Sequence, residues 1–425
     1  MTEDLLHFIW KYKRLPLQDL VTSNNEVLQI IDLGTHNLLA GPDFFNAHLK
    51  INGQLWAGNV EIHQKSSDWY VHTHERDTNY DNVILHVVWQ DDARVFRSDN
   101  SEIPTLELQK MISPDLLLAY LNLFDQRHKT FINCEKQISQ IKGIIWSHWL
   151  DRLYIERLES KSDLIFQSLL RSNNDWEQVL FSLLLKNFGS KVNAVSFMAL
   201  ADVMDYATVR KLQQSAFKLE SVFLGLSGLL DQTEVEDKYY KTLRKEYHFL
   251  KRKFGFVSQL VPRPDFFKLR PHNFPTIRLS QLAELYAKSQ NLFNEAMQAA
   301  TLKEYYELLG AEASAYWKNH FTFGKTSKQS AKRLTKPFIN LLLINSILPL
   351  KYAFYKTKGL AIDEAIIEVM YEIGKEANHI IDHFEALGIT VQNAMESQSV
   401  LQLYNEYCSK NKCLQCAVAQ KLLQV

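Results

Sequence analysis

Hydrophobic and polar positions follow two different periods along this chain. Up to about residue 112, after a short amphipathic helix, apolar residues recur at every second position in short runs, a pattern typical of β-strands. Gly, Asn, Asp and Ser separate these runs, which read VLQIIDLG, FFNAHLKI, LWAGNVEIH, VILHVVW, ARVFRS and PTLELQ. Asn52-Gly53 stands between the second and third runs and predicts a tight hairpin turn.

From about residue 113 onward the apolar period becomes helical. Ser113 followed by Pro114 is a helix-start signal, and long helical patterns such as DWEQVLFSLLLKNFG and KVNAVSFMALADVM follow it. We therefore expect an α+β protein: residues 1–112 form an N-terminal mixed β-sheet domain with a flanking helix, and residues 113–425 form a large all-α domain with a C-terminal cysteine cluster.

Charge and composition exclude few functions. Lys plus Arg and Asp plus Glu both number 48, so the chain as a whole has no net attraction to nucleic acid or membrane, and any such affinity must be local. Asn340, Asn345 and Pro349 interrupt the longest apolar run, so no membrane span is expected. With four cysteines and no secretory signal, we expect a cytoplasmic protein that does not bind membranes. Its oligomeric state is left open.

The segment GPDFFNAHLKINGQLWAGNVEIHQK carries the strongest chemical signal. Strand alternation would place Glu61, His63 and Lys65 on one face, and the Asn52-Gly53 turn would fold Asp43 back beside them. Two carboxylates and a basic residue on neighbouring strands are typical of a site for Mg²⁺ or Mn²⁺. In the plainer alternative, Asp43 begins a turn, and Glu61 and His63 lie on the solvated face of an edge strand or form a structural pair.

The order of helix, strand, GPD strand, Glu-x-basic strand, crossover and strand resembles the core of the PD-(D/E)XK nuclease superfamily. The resemblance implies a restriction-endonuclease-like core in residues 1–112 and metal-dependent phosphodiesterase or nuclease activity on nucleic acid. By this resemblance, Asp43 and Glu61 would bind the metal and His63 would be a ligand or a base. Lys65 would contact the phosphate of the substrate. His63 stands where the superfamily usually has Lys, and a neutral imidazole lacks that fixed charge. A catalytically inactive nucleic-acid-binding or scaffold protein with the same fold is therefore the alternative.

As a whole, the chain also resembles an uncharacterised bacterial family that contains a domain of unknown function. The matching segments are GPDF, GNVEIH, SDWYVHTHERDTNYDNVILHVV and the cysteine-bearing tail. This resemblance implies no activity.

A second group of metal-binding side chains follows the Glu61 segment. His72, His74, Asp77 and His86 lie close together in the sequence. Zn²⁺ prefers nitrogen ligands, so this group predicts a zinc metallohydrolase as a second alternative. The same histidines could instead be polar surface residues or hydrogen-bonded structural groups.

Two further segments carry candidate binding residues. Cys408, Cys413 and Cys416 have the spacing C-x4-C-x2-C, and with the distant Cys134 they could hold a structural Zn²⁺ or an iron–sulfur cluster; otherwise they are buried thiols that pack a helix. The segment GKTSKQSAKRLTKP contains no acid and could contact the phosphates of a nucleic acid, or could be a solvated face. Its basic residues are Lys325, Lys328, Lys332, Arg333 and Lys336.

Overall fold

The computed structural model describes residues 2–125, 127, 129–141, 143–257, 260–360 and 364–424. The chain divides into two compact units, Met1–Trp149 together with Tyr404–Val425, and Leu150–Leu403. We call them the sheet unit and the helical unit. The expected α+β class, with an N-terminal mixed sheet followed by a large helical region, is confirmed.

A seven-stranded mixed sheet forms the centre of the sheet unit. Its strands are β1 (Leu20–Val21), β2 (Val27–Asp32), β3 (Thr35–His36), β4 (Phe44–Ile51), β5 (Gln54–Lys65), β6 (Val83–Gln90) and β7 (Thr105–Glu107). The order across the sheet is β1-β2-β4-β5-β6-β7, with β3 paired to β4. Strands β2, β4 and β5 form an antiparallel meander, whereas β6 is parallel to β5 and β7 is parallel to β6.

The predicted hairpin turn between β4 and β5 is confirmed. Asn52 and Gly53 have φ values of 47° and 85°, the left-handed conformations that a type I′ turn requires at both central positions. Of the six predicted strands, ARVFRS does not form one: Phe96 makes only an isolated bridge to Glu102. Arg97 in that segment instead donates hydrogen bonds to the carbonyl oxygens of Val83 and Glu102.

A close approach between β5 and β6 sets the register next to the candidate site. A Cβ at Gly58 would lie 2.5 Å from the Asn82 carbonyl oxygen, so only glycine fits there. The register shifts immediately afterwards, between Asn59 and Val60, and Glu61 then pairs with His86.

The helices complete both units. In chain order they are α1 (Glu3–Lys11), α2 (Asp68–Val71), α3 (Pro114–Leu123), α4 (Gly143–Arg171), α5 (Trp176–Phe188), α6 (Ser190–Val203), α7 (Tyr206–Leu212), α8 (Ala216–Leu226), α9 (Lys238–Phe254), α10 (Pro275–Lys288), α11 (Leu292–Gln298), α12 (Leu302–Leu309), α13 (Lys336–Leu342), α14 (Leu348–Thr357), α15 (Glu364–Glu372), α16 (His379–Ala386), α17 (Ala394–Gln402) and α18 (Ala417–Leu422). Helix α1 packs against β5 through its apolar face, and α2 belongs to the crossover from β5 to β6.

The helical unit has one large apolar core and a two-stranded sheet of β8 (His320–Thr322) and β9 (Lys325–Thr326). One helical run in the described part of the chain, Lys336–Thr357, is long and apolar enough to cross a membrane by length and composition. Its most apolar window is 72% buried inside the protein, as expected for a core helix, so the run is weak evidence for a membrane span.

Candidate functional site

Three histidines and one glutamate converge in the sheet unit. One ring nitrogen from each of His63, His72 and His74 lies within 4.8 Å of the other two. His72 Nδ1 is 3.1 Å from His63 Nε2. Glu61 Oε1 is 3.5 Å from His63 Nε2 and 3.3 Å from His74 Nε2. We call these four residues the histidine site.

The spacing of these donor atoms matches that of a metal coordination sphere. Four nitrogen or oxygen ligands placed tetrahedrally at 2.0–2.1 Å from an ion are about 3.3–3.4 Å apart. Three of the six donor–donor distances in the histidine site fall between 3.1 and 3.5 Å. His74 Nε2 is buried and makes no hydrogen bond within the described chain, although Glu61 is so near. No hydrogen bond to the described chain therefore competes with an ion for this nitrogen.

Local sequence explains how the four side chains meet. Residues 61 and 63 alternate along β5, so Glu61 and His63 point to the same side of the sheet, as predicted. His72 ends α2, and His74 begins the short 3₁₀ turn that follows it. Between them Thr73 has φ 59°, a left-handed conformation that is costly for a β-branched residue. This reversal turns both rings toward β5.

A fourth histidine, His86, contacts the ring of His63 from β6. His63 Nδ1 lies 2.8 Å from Nε2 of His86, which is fully buried on β6. If His63 offers its Nε2 lone pair to an ion, its Nδ1 carries the proton and donates to His86. Such a contact fixes the tautomer and the ring orientation of a metal ligand. His86 therefore supports the site without being one of its four converging groups.

Aromatic rings form an apolar wall behind the site. The Tyr80 ring stacks on His74 with centroids 3.7 Å apart, and Trp69 contacts both His74 and His86 edge-on or tilted. Trp69 and Tyr80 belong to a small buried core between the crossover and β6. On the opposite side His72 is exposed, so the site reaches solvent there.

Burial shifts the pKa values of His63, His74, His86 and Glu61 in the direction that favours their uncharged forms. It lowers the pKa of His63 to about 2 and that of His86 to about 3, and the neighbouring histidines add to the effect. Burial also lowers the pKa of His74. Burial and the charge of Asp43 raise the pKa of Glu61 to about 9. Neutral imidazoles and a carboxylate that lacks a positive partner are the groups that a divalent cation stabilises.

Asp43 lies beside the histidine site. Its backbone N–H donates to Glu61 Oε2 at 3.1 Å, and its own Oδ2 accepts from the Ile62 N–H at 2.9 Å. The same oxygen is 3.2 Å from Nε2 of His7 on α1. Burial lowers the pKa of His7, but the hydrogen bond and charge of Asp43 outweigh it and raise the pKa overall.

His7 and Glu3 are site residues that the sequence analysis missed. Burial raises the pKa of Glu3, and its carboxyl is close enough to His72 and His7 for both to oppose that shift. The available signal was their spacing: residues 3 and 7 lie one turn apart on the same face of α1.

Two residues that the sequence predicted for the site, Lys65 and Asp77, lie at the edge of the histidine site. Lys65 is exposed at the end of β5, and its backbone N–H donates to Asp68 Oδ2. Asp77 uses Oδ1 to accept hydrogen bonds from the backbone and side chain of Asn79, so it caps the turn before β6.

The predicted basic segment lies in the helical unit. Lys325, Lys328 and Lys336 are exposed there. Arg333 forms an ion pair with Glu312. Lys332 is buried: its ammonium donates to the Lys318 carbonyl oxygen and to Ser330 Oγ. Exposed lysines thus remain in this segment, but Lys332 does not belong to its surface.

The predicted cysteines lie in the sheet unit, and all four are free thiols. Cys134, Cys413 and Cys416 are buried and Cys408 is partly buried. Cys413 lies in a 3₁₀ turn, and Cys416 precedes α18.

Comparison with known proteins identifies a family for this chain. No curated protein and no solved structure matches the chain significantly. A family model described as "Protein of unknown function (DUF2851)" matches residues 3–379, which is most of the chain. The chain that carries this histidine site is therefore a member of the DUF2851 family.

Proposed function

We propose that this protein is a metal-dependent phosphodiesterase that acts on nucleic acid, with a single divalent transition-metal ion bound by Glu61, His63, His72 and His74. The observation that carries the proposal is the convergence of three histidine nitrogens within 4.8 Å of one another, with Glu61 Oε1 at 3.3–3.5 Å from two of them. Three imidazoles favour Zn²⁺ or Mn²⁺ over Mg²⁺, which prefers oxygen ligands and retains several waters.

The phosphodiester class is supported by the arrangement of the strands. The antiparallel meander of β2, β4 and β5 leads through a crossover to the parallel strand β6. Asp43 precedes the second strand of this meander, and Glu61 and His63 lie on the third. This is the order expected from the resemblance to PD-(D/E)XK nucleases. The histidine at position 63 then serves as a ligand where a lysine would have supplied a charge.

The chain's own residues divide into three roles in this proposal. His63, His72, His74 and Glu61 hold the ion. His86 fixes the ring of His63, and the Asp43 backbone orients Glu61. The pair of Asp43 and His7 lies next to the ligands and can hold a proton, since Asp43 stabilises the charged imidazole. A cation held by these residues would supply Lewis-acid polarisation of a phosphoryl group and acidification of water.

Metal binding and cleavage should be measured on the same preparations of the full chain. Protein stripped with a chelator is titrated with Zn²⁺, Mn²⁺ and Mg²⁺, then assayed on plasmid DNA, single-stranded DNA, RNA and bis(p-nitrophenyl) phosphate. We expect one high-affinity ion per chain at the histidine site. Glu61→Gln, His72→Ala and His74→Ala should each weaken binding at least about tenfold and reduce cleavage in parallel. His48→Ala, which removes an exposed histidine on β4, is the matched control.

The proposal has two separable parts. A wild-type chain that binds neither Zn²⁺ nor Mn²⁺ at micromolar concentration would overturn the metal site. Stoichiometric binding without cleavage of any phosphodiester would overturn the phosphodiesterase and favour the nucleic-acid-binding alternative, or a metallohydrolase for another substrate. Filter binding of single-stranded DNA would support the nucleic-acid-binding alternative. Hydrolysis of p-nitrophenyl acetate would support a metallohydrolase for another substrate.

A further inference from the structure

Two stretches that are far apart in the sequence meet in the sheet unit, and each carries cysteine. The loop before α4 contributes Cys134, and the chain end after residue 404 contributes Cys408, Cys413 and Cys416. Sequence spacing grouped the last three, but only the fold brings Cys134 to them.

Side-chain contacts at three successive points join these stretches. Lys129 Nζ donates to Asn411 Oδ1 at 3.2 Å. The rings of Phe131 and Tyr404 stack with centroids 4.9 Å apart. Asn133 Nδ2 donates to Cys413 Sγ at 3.3 Å. The segment 129–133, which leads to Cys134, therefore contacts the chain end at three points.

Two hydrogen-bonded turns lie between the three cysteines of the chain end. Asn411 has φ 53°, and the Lys412 N–H donates to the Tyr407 carbonyl oxygen at 2.9 Å, which closes a turn after Cys408. A second turn is closed by the Cys416 N–H, which donates to the Cys413 carbonyl oxygen at 2.9 Å.

The thiols interact with one another. Burial raises the pKa of Cys134 to about 12, and the charges of Cys416 and Cys413 raise it further. Burial likewise raises the pKa of Cys408, with added contributions from Cys416, Cys134 and Cys413. A thiolate in a buried setting is unfavourable unless a positive charge compensates it. A cation among them would remove that cost.

Hydrogen-bond donors lie beside two of the sulfurs. Burial raises the pKa of Cys416 to about 11, but the backbone N–H groups of Ala419 and Val418 oppose that rise. Asn133 donates to Cys413. Donors that face sulfur stabilise the thiolate form, as they do around metal-bound cysteines.

We propose that Cys134, Cys408, Cys413 and Cys416 form a four-thiolate site for a structural metal centre, either one Zn²⁺ or an iron–sulfur cluster, that binds the chain end to the sheet unit. On binding, the four thiols lose their protons to solvent and each sulfur forms one bond to metal. The site is independent of the histidine site and of the proposed hydrolase activity.

Native mass spectrometry of the wild-type full chain, purified without oxygen, tests the site without any substitution. We expect a mass increment for one Zn²⁺ or one iron–sulfur cluster beyond any ion in the histidine site. Zinc and iron analysis with acid-labile sulfide then separates the two centres, and a brown protein absorbing near about 400 nm identifies the cluster.

Two double variants assign the bound metal. Cys413→Ser with Cys416→Ser should lose this centre and keep the ion of the histidine site, whereas His72→Ala with His74→Ala should do the opposite. The cysteine variant should also be cleaved faster by protease between residues 404 and 424. The proposal is overturned if wild-type protein, offered Zn²⁺ or iron with sulfide, binds no more metal than the cysteine variant, or if all four thiols of metal-loaded wild-type protein react with iodoacetamide as fast as after chelator treatment.

Discussion

Glu61 Oε1 lies 3.3 Å from His74 Nε2, which joins the central strand β5 to the crossover that follows it. His74 Nε2 is buried and has no hydrogen-bond partner in the described chain. Burial raises the pKa of Glu61 and lowers that of His74, so the uncharged form of each group is favoured there. A bound cation would replace that arrangement with two metal–ligand bonds, so metal binding should stabilise the crossover as well as the site.

His86→Phe should lower the affinity of the histidine site for Zn²⁺ by about 10–100-fold while the four proposed ligands remain. The phenyl ring fills the space on β6 but cannot accept a hydrogen bond from His63 Nδ1, whereas Nε2 of the native ring lies 2.8 Å from that nitrogen. His86→Gln retains an acceptor oxygen and should recover part of the affinity. Competition with a chromogenic chelator measures both variants. Equal affinities for His86→Phe and wild type would show that His86 does not orient His63.

Thr73→Asn should stabilise the fold by about 1 kcal/mol, because asparagine tolerates the left-handed backbone at φ 59° better than a β-branched residue does. Chemical unfolding of metal-free protein measures the change. Thr78→Asn, at an exposed position in the next turn, is the control and should have little effect. Destabilisation by Thr73→Asn would mean that the hydrogen bond from Thr73 Oγ1 to the His72 carbonyl oxygen outweighs the backbone strain.

Gly58→Ala should destabilise the sheet unit by about 2–3 kcal/mol, because the new methyl group would lie 2.5 Å from both the Asn82 carbonyl oxygen and Ile84 Cγ2. Strands β5 and β6 would have to separate next to Glu61, so metal affinity should fall with stability. Gly143→Ala, where nothing lies within 4 Å of the added methyl, is the matched control. If the free energy of unfolding of Gly58→Ala equals that of the wild type, the close approach of β5 and β6 at Gly58 is refuted.

Glu220 should make the helical unit less stable as pH rises. Burial raises its pKa to about 7, although hydrogen bonds from Trp317, Ser314 and Tyr239 partly offset this effect. A pKa above the unfolded value means that the stabilisation is complete below about pH 4.5 and is lost as pH rises through about 7. Glu220→Gln stays neutral, so its stability relative to wild type should increase by about 2–3 kcal/mol between about pH 5 and pH 8. Urea unfolding across that range measures the difference, and a constant difference would contradict this assignment.

Short-range patterns in the sequence predict much of the sheet unit. The Asn52-Gly53 turn depends on two neighbouring residues, and the shared face of Glu61 and His63 follows from strand alternation alone. These features require no knowledge of distant contacts. The same reasoning failed for ARVFRS, where the contacts of Arg97 with Val83 and Glu102 replace strand pairing.

The composition of the histidine site depends on distant contacts that no local pattern encodes. Strand alternation places Glu61 and His63 together, but His72 and His74 reach them only because the crossover returns over β5 with Thr73 in a left-handed conformation. His7 arrives from α1 by helix packing, and Cys134 meets the chain end through three side-chain contacts. Residue types and periodicity identify which side chains can bind a metal. Which of them converge is determined by packing between segments remote in sequence, since that packing alone sets the distances between their donor atoms.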